Sequence, residues 1–185
     1  MAVRVTDVFK KHPELFDQEM MQRIHAGTSP FDLPGLKMVR HKDQSKAINN
    51  IRGTAIIIAG SGMCTGGRIK HHLVNNIEQP ENTILFVGYQ AVGTLGRQLA
   101  EGNKEVRIMG QIMQVKARIA TIHGFSAHGD KTELLQWLRG FKQAPKHVFI
   151  THGEENASDH FAQYIHEETG WQTSVPQYQQ EVILE

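Results

Sequence analysis

The sequence predicts an α/β fold built around parallel strands, and three observations carry that reading. Residues 54–59 (T-A-I-I-I-A) and 83–87 (T-I-L-F-V) are continuous β-branched or apolar runs, the pattern of strands buried on both faces. Each run is followed by a glycine-bearing turn and then a helical stretch, and strand–turn–helix repeated twice is the order of a parallel α/β sheet. The chain has 185 residues, 39% of them apolar and 21% charged, which suits one ordinary domain or two small lobes with a true core.

The elements follow in order. Residues 3–11 read as a helix, with Val5, Val8 and Phe9 at helical spacing. Pro13 interrupts it, and residues 17–26 form a second helix stopped by Gly27. Residues 28–35 are a loop, 36–40 a short strand and 43–51 a short helix. After the strand at 54–59 comes the turn G-S-G-M-C-T-G-G at 60–67, then a helix at 68–77. After the strand at 83–87 come a turn at 88–93 and a helix at 94–100. Residues 106–122 alternate apolar and polar around Gly110-Gln111, which predicts an antiparallel hairpin. The loop H-G-F-S-A-H-G-D precedes a helix that Asp130 caps, with Glu133 three places on. Leu134, Leu135, Leu138 and Phe141 share one face of that helix, which ends near Gly140. Residues 147–151 form a strand with H-G-E-E-N as its exit turn, residues 157–169 a helix closed by Gly170, and residues 173–175 a last strand.

A formal net charge of +1 excludes binding through global polycation character, so any nucleic acid must meet a local patch. The single cysteine, Cys64, excludes an internal disulfide framework and fits a reducing, cytoplasmic setting. No run reaches the length of a membrane span, and the N-terminus has no signal-peptide pattern. The closing Leu184-Glu185 has the look of an expression-vector remnant and is given no role. Eleven histidines hint at metal or acid–base chemistry, although His12, His25 and His41 read as surface residues.

Two motifs stand out, G-F-S-A-H-G-D at 124–130 and T-H-G-E at 151–154. Each places a histidine in a turn beside a predicted strand, with a helix to follow, and ligands gather at such strand ends. A loop histidine flanked by glycine can approach a ligand closely and stay neutral, as a zinc ligand must. Asp130 and Glu154 lie close by, either to orient an imidazole or to cap the next helix; for Asp130 the cap is favoured. The turn at 60–67 could attract phosphate through backbone N–H groups leading into a helix, but it equally fits a plain tight turn. It matches neither the P-loop nor the dinucleotide fingerprint. Tyr89 could stack on a base, Thr94 could instead be an N-cap, and Arg97 a solvated helix residue. Cys64 has no paired base and reads as a small loop residue. A serine hydrolase is set aside, because neither G-F-S-A-H nor A-G-S-G-M fits the G-x-S-x-G elbow.

F-S-A-H-G-D, an amphipathic helix, a strand and H-G-E in this order resemble the C-terminal signature of the β-CASP family of metallo-β-lactamase-fold RNA-processing nucleases. F-K-K-H-P-E-L-F-D at 9–17, A-G-S-G-M-C-T-G-G-R at 59–68 and V-G-Y-Q-A-V-G-T-L-G-R at 87–97 extend the resemblance over nearly the whole chain. It implies an incomplete, parallel-sheet β-CASP lobe at 1–122, followed at 123–185 by the return strands and helices of a metallo-β-lactamase αββα fold. It further implies hydrolysis of RNA phosphodiester bonds with two zinc ions, whose bridging hydroxide attacks in line. Within that scheme His128 is the acid beside the scissile phosphate, Ser126 places a hydroxyl near the same phosphate, and His152 is a zinc ligand. Ser61, Thr65 and Arg68 on the first turn, and Tyr89, Thr94 and Arg97 on the second, become RNA contacts.

The family's H-x-H-x-D-H motif and acidic first β-CASP motif have no counterpart here. The expectation is therefore a chain that supplies one zinc ligand, is inactive alone, and needs an N-terminal metallo-β-lactamase half as partner. Apolar surface left uncovered by that half favours self-association, a homodimer included. A non-catalytic RNA-binding or interaction module is the alternative from a different class.

Overall fold

A computed structural model describes residues 2–29, 31–126 and 128–183, so Leu184-Glu185 lies outside the described residues. The chain divides into two compact units, residues 1–125 and 126–185. Among the described residues no helix is long and apolar enough to cross a membrane.

The first unit opens with α1 (Ala2–Lys11) and α2 (Gln18–His25). Asp17 begins α2 as read from sequence, its carboxylate accepting from the Met20 N–H at 2.7 Å. Helix α3 (Lys42–Ala47) follows, then α4 (Arg68–Asn76), strand β1 (Thr83–Phe86), α5 (Leu95–Ala100), and strands β2 (Glu105–Ile108), β3 (Gln111–Gln114) and β4 (Arg118–Thr121). Strands β2 and β3 form the expected antiparallel hairpin, with Ile108 opposite Gln111. Its turn residues are Met109 and Gly110, one place earlier than predicted. Both have positive φ (50° and 85°), as a two-residue turn matched to strand twist requires. Val106 and Ile108 point inward while Glu105 and Arg107 face solvent, so the period of two decides which side joins the core.

Strand β4 pairs with β1 in parallel, Thr83 opposite Arg118 through Phe86 opposite Thr121. Parallel partners need a crossover, and α5 with the hairpin supplies it. The core gathers where these elements meet: Cys64, Leu73, Ile77, Phe86, Leu99, Val106 and Ile108.

The α/β class stands, but two predicted strands are absent. Residues 54–59 join no ladder, and Ile56 and Ile58 are 89% and 85% exposed. The apolar run signals a buried strand, yet a strand exists only where a neighbour takes up its N–H and C=O groups. The partner of β1 is β4 instead, a segment whose mixed sequence hid it in the hairpin region. Residues 36–40 form no strand either; they pair with no neighbouring strand, and the carbonyls of Val39 and Arg40 accept from the Arg68 guanidinium at 3.0 and 2.8 Å.

In the second unit, α6 (Lys131–Leu138), β5 (Val148–Phe149), α7 (Glu155–Thr169) and β6 (Thr173–Ser174) follow one another. Strands β5 and β6 are parallel, with α7 as the crossover. The N–H groups of Val148 and Ile150 donate to Gln172 and Ser174 carbonyls at 2.8 and 2.9 Å, which carries the pairing to the end of the strand. Leu135, Leu138, Ile150 and Ile165 make the core. The apolar face read on α6 is only half buried. Leu134 and Phe141 remain exposed, Phe141 meeting the exposed Trp137 edge-on at 5.6 Å. Lys131 lies over the Tyr164 ring and Arg139 pairs with Glu168, tying α6 to α7. Helix α7 ends at Gly170 with φ 73°, its N–H donating to the His166 carbonyl, as the glycine predicted.

His72, on α4, is buried and its Nε2 lies 3.2 Å from the Ser45 hydroxyl on α3, while Nδ1 has no hydrogen-bond partner among the described residues. Burial depresses its pKa from the ordinary 6.5, and the neighbouring charges of His71 and Arg68 add to that. The unfolded chain then takes up a proton below about pH 6.5 while the folded chain resists it, so the folded state loses stability as pH falls through that region. Urea midpoints between pH 7 and 5.5 are expected to fall, and less steeply in His72→Gln. A second expectation concerns the core. Leu99 has no exposed surface, and Leu99→Ala is expected to cost about 2–5 kcal/mol in the unfolding of the first unit, followed by circular dichroism.

Candidate functional site

His152 sits where β5 gives way to α7. The chain is pinned up to Ile150, whose side chain is buried and whose N–H is held by Ser174. Beyond it, Thr151, His152 and Gly153 turn outward, and the Ser158 N–H donates back to Glu154 at 2.8 Å to start α7. Gly153 is packed against Ser158 so closely that a Cβ there would collide with the Ser158 hydroxyl. His152 is exposed and has φ 66°, a left-handed conformation unfavourable for a residue with a side chain. Such strain collects at functional turns, where the surroundings impose it.

An open groove of about 660 Å³ runs beside this turn. Trp137, Phe149, Phe161 and Tyr164 contribute apolar walls, and both His152 and His160 line it. Sequence reading passed over His160. Its Nδ1 lies 2.6 Å from the Asn156 carbonyl, one helical turn back. The only signal was a histidine eight places after His152 on the predicted helix, too common a spacing to single out.

The loop before α6 is ordered from its far end. The Asp130 carboxylate accepts from the N–H groups of Thr132 and Glu133 at 2.8 and 2.9 Å, and Glu133 accepts from the Asp130 N–H at 2.9 Å. That reciprocal cap occupies Asp130, as the sequence favoured. The Ser126 hydroxyl accepts from the His128 N–H at 3.2 Å and lies 3.5 Å from His128 Nδ1. Among the described residues no hydrogen bond joins His128 to His152.

In the first unit, the turn at 60–67 closes on itself. The Cys64 N–H donates to the Ser61 carbonyl at 3.0 Å, and the Ser61 and Thr65 hydroxyls lie 3.3 Å apart. Gly67 precedes α4 with φ 73°, and no side chain caps that helix. Arg68 spends two N–H groups on Val39 and Arg40, as described above. Cys64 is buried in the core, and burial raises its thiol pKa, which argues against a nucleophile. On the second turn Thr94 is the N-cap of α5, accepting from the Arg97 N–H at 3.2 Å. Arg97 pairs with Glu101 at 2.6 Å and donates to the Gln90 carbonyl. Tyr89, beside it, is 59% exposed. Gly96 is buried on α5, and a Cβ there would strike the Gln90 side chain.

Residues 1–99 match the Beta-Casp domain model. The chain belongs to the β-CASP family. Residues 112–176 of this β-CASP chain also match the model of a Zn-dependent metallo-hydrolase RNA specificity domain, so Ser126, His128 and His152 all fall within that second match. A ribonuclease of Thermus thermophilus is 40% identical over 84% of the chain. Transcription termination factors FttA of Methanocaldococcus jannaschii and Thermococcus kodakarensis are 34% and 33% identical, each over 95% of it. The chain spans 35%, 29% and 28% of these relatives' lengths, about a third.

The zinc that the family description names needs three or four protein ligands. Among the described residues no group of three or more His, Cys, Asp or Glu is placed to hold a metal ion. His152 fits the part of a single ligand, exposed at a turn; the residues around it do not complete a site. The strain at His152 gives a test. His152→Gly is expected to raise the stability of the chain by about 1 kcal/mol, whereas His152→Ala is expected to leave it near wild type. Denaturant midpoints of the three proteins measure this, and a Gly variant no more stable than Ala would remove the strain from the account.

Proposed function

We propose that this β-CASP chain forms part of a zinc-dependent ribonuclease that hydrolyses RNA phosphodiester bonds in RNA processing or decay. The observation that carries the proposal is His152. It is an exposed imidazole held in a strained turn at the end of β5, within the segment that matches a Zn-dependent metallo-hydrolase RNA specificity domain. In this reading His152 is one zinc ligand, and the other ligands of a two-zinc centre come from polypeptide outside these 185 residues, an N-terminal metallo-β-lactamase half. His128 stands beside the scissile phosphate as the acid, with Ser126 next to it. The β-CASP part is residues 1–122 and the metallo-β-lactamase part 123–185. Ser61, Thr65 and Arg68 face the RNA backbone at the turn that leads into α4, and Tyr89, Thr94 and Arg97 form a second contact with Tyr89 available for stacking. The proposal extends to a cytoplasmic protein, on the buried and reduced Cys64, and to a homodimer, on exposed apolar residues such as Ile56 and Ile58.

A second reading applies to the chain in isolation. With His152 as its one candidate ligand, the isolated chain is an RNA-binding module without chemistry. Cleavage of labelled RNA by the full-length protein with zinc, wild type against His152→Ala, separates the two. Loss of about 100-fold or more in the variant is expected if His152 holds metal. Equal activity would make His152 structural, and binding without cleavage by either protein would favour the module.

A further inference from the structure

The turn at 88–93 holds a side chain that the proposed RNA contacts leave out. Gln90 is 7% exposed, and its carboxamide folds back onto its own turn. Its Nε2 donates to the Gly88 carbonyl at 3.2 Å and to the Tyr89 carbonyl at 3.1 Å. A carboxamide nitrogen has two hydrogens to give, and a backbone carbonyl only accepts. The nitrogen, not the oxygen, must therefore face this pair, and the direction of both bonds is fixed by the partners.

Those two carbonyls belong to the peptide units on either side of the Tyr89 Cα. Peptide units are planar, so holding both sets φ and ψ of Tyr89. With φ and ψ set, the Cα–Cβ bond has one direction and the ring a short menu of rotamers. The rest of the turn is tied in the same way. The Gln90 carbonyl accepts from Arg97 at 3.2 Å, the Ala91 carbonyl from the Thr94 hydroxyl at 2.6 Å, and the Ala91 N–H donates to the Met63 sulfur at 3.2 Å. Met63 belongs to the first glycine-bearing turn, and its carbonyl accepts from the Gly96 N–H at 3.0 Å. Gly96 also makes the room that Gln90 occupies, since a Cβ there would overlap the carboxamide. The Gln90 Oε1 on that side is buried without a hydrogen-bond partner among the described residues, which costs stability. An apolar side chain would fill the space without that cost, so packing alone does not account for a glutamine. Its two N–H bonds do.

We propose that Gln90 is a positioning residue for Tyr89. It fixes the peptide units on both sides so that the ring, 59% exposed, is presented as a ready stacking face for an unpaired RNA base. The proposal rests on the reading of Tyr89 as an RNA contact and deepens it. The ligand class is single-stranded RNA, taken through the flat face that every base offers and so with little sequence preference. A ring already held in place has less freedom to lose when a base stacks on it.

The test reads Tyr89 without RNA and then with it. The 185-residue chain carrying 3-fluorotyrosine gives ¹⁹F signals from Tyr89, Tyr164 and Tyr178, and Tyr89→Phe assigns the first. In wild type the Tyr89 signal is expected to relax as a restrained ring, unlike Tyr178, which is 92% exposed. A wild-type Tyr89 as mobile as Tyr178 overturns the proposal, whichever variants fold. Gln90→Met keeps the side-chain volume and removes the donor. It is expected to move the Tyr89 signal toward that of Tyr178 and leave Tyr164 in place. Gly96→Ala, which displaces the carboxamide with Gln90 still present, is expected to do the same. An unmoved Tyr89 signal in a folded Gln90→Met chain overturns the proposal. Fluorescence anisotropy with a labelled oligouridylate then measures binding. Tyr89→Ala is expected to weaken it about 5- to 100-fold, and Gln90→Met about 3- to 10-fold. In the double variant Tyr89→Ala is expected to cost less than it does alone, because Gln90 acts through that ring. Losses that simply multiply overturn the positioning role. Binding that ignores Tyr89→Ala overturns the stacking role instead, and the ¹⁹F signals tell the two failures apart.

Discussion

The carbonyl oxygen of Ile77 accepts two backbone N–H groups, from Lys116 at 3.0 Å and Ala117 at 2.9 Å. Its own side chain is fully buried in the core of the first unit. That junction joins the end of α4 to the start of β4. The next residue, Arg118, donates to the Asn82 carbonyl at 2.9 Å, and the parallel ladder with β1 begins there. Parallel pairing of two strands more than thirty residues apart needs such a clamp, since loop closure must be met before the ladder returns any hydrogen bonds. Once it is set, Phe86 on β1 and Leu99 on α5 face the same core as Val106 and Ile108 of the hairpin. The two glycine-bearing turns are then carried on the ends of packed elements, where Arg68 donates to the Val39 and Arg40 carbonyls and Thr94 caps α5.

The second unit works on the same principle with less material. Two short parallel strands are crossed by α7, and Ile150 anchors the strand end from which His152 emerges. The strain at His152 is tolerated because both sides of the turn are fixed, by the β6 pairing before it and by the close approach of Gly153 to Ser158 after it. Ser126 and Asp130 do the corresponding job around His128. In each case a loop histidine gains a defined place from neighbours that are not themselves reactive.

Much of this was legible in the chain. Asp17, Asp130 with Glu133, and Gly170 announced helix ends, because caps satisfy local backbone groups and need nothing distant. The hairpin was legible from alternation, with a one-place error because Met109 rather than Gln111 accepts positive φ beside Gly110. The T-A-I-I-I-A run misled, since apolar content signals a wish for burial but does not supply a partner strand. Within the candidate site, the motifs gave His128, Ser126 and His152. They did not give the double contact of Ser126, or His160 on the groove wall.

The sequence by itself determined the α/β class, the helices with their caps, the family and the candidate site residues. These rest on local backbone chemistry and on long motifs read along the chain. Only the tertiary structure decided that β4 rather than residues 54–59 stands beside β1. It also decided that Arg68 and Thr94 hold carbonyls and caps, and that His152 is bent into a left-handed turn. Each of those depends on which backbone groups find one another across long stretches of chain, and hydrogen-bond partners at that separation leave no mark in a local pattern.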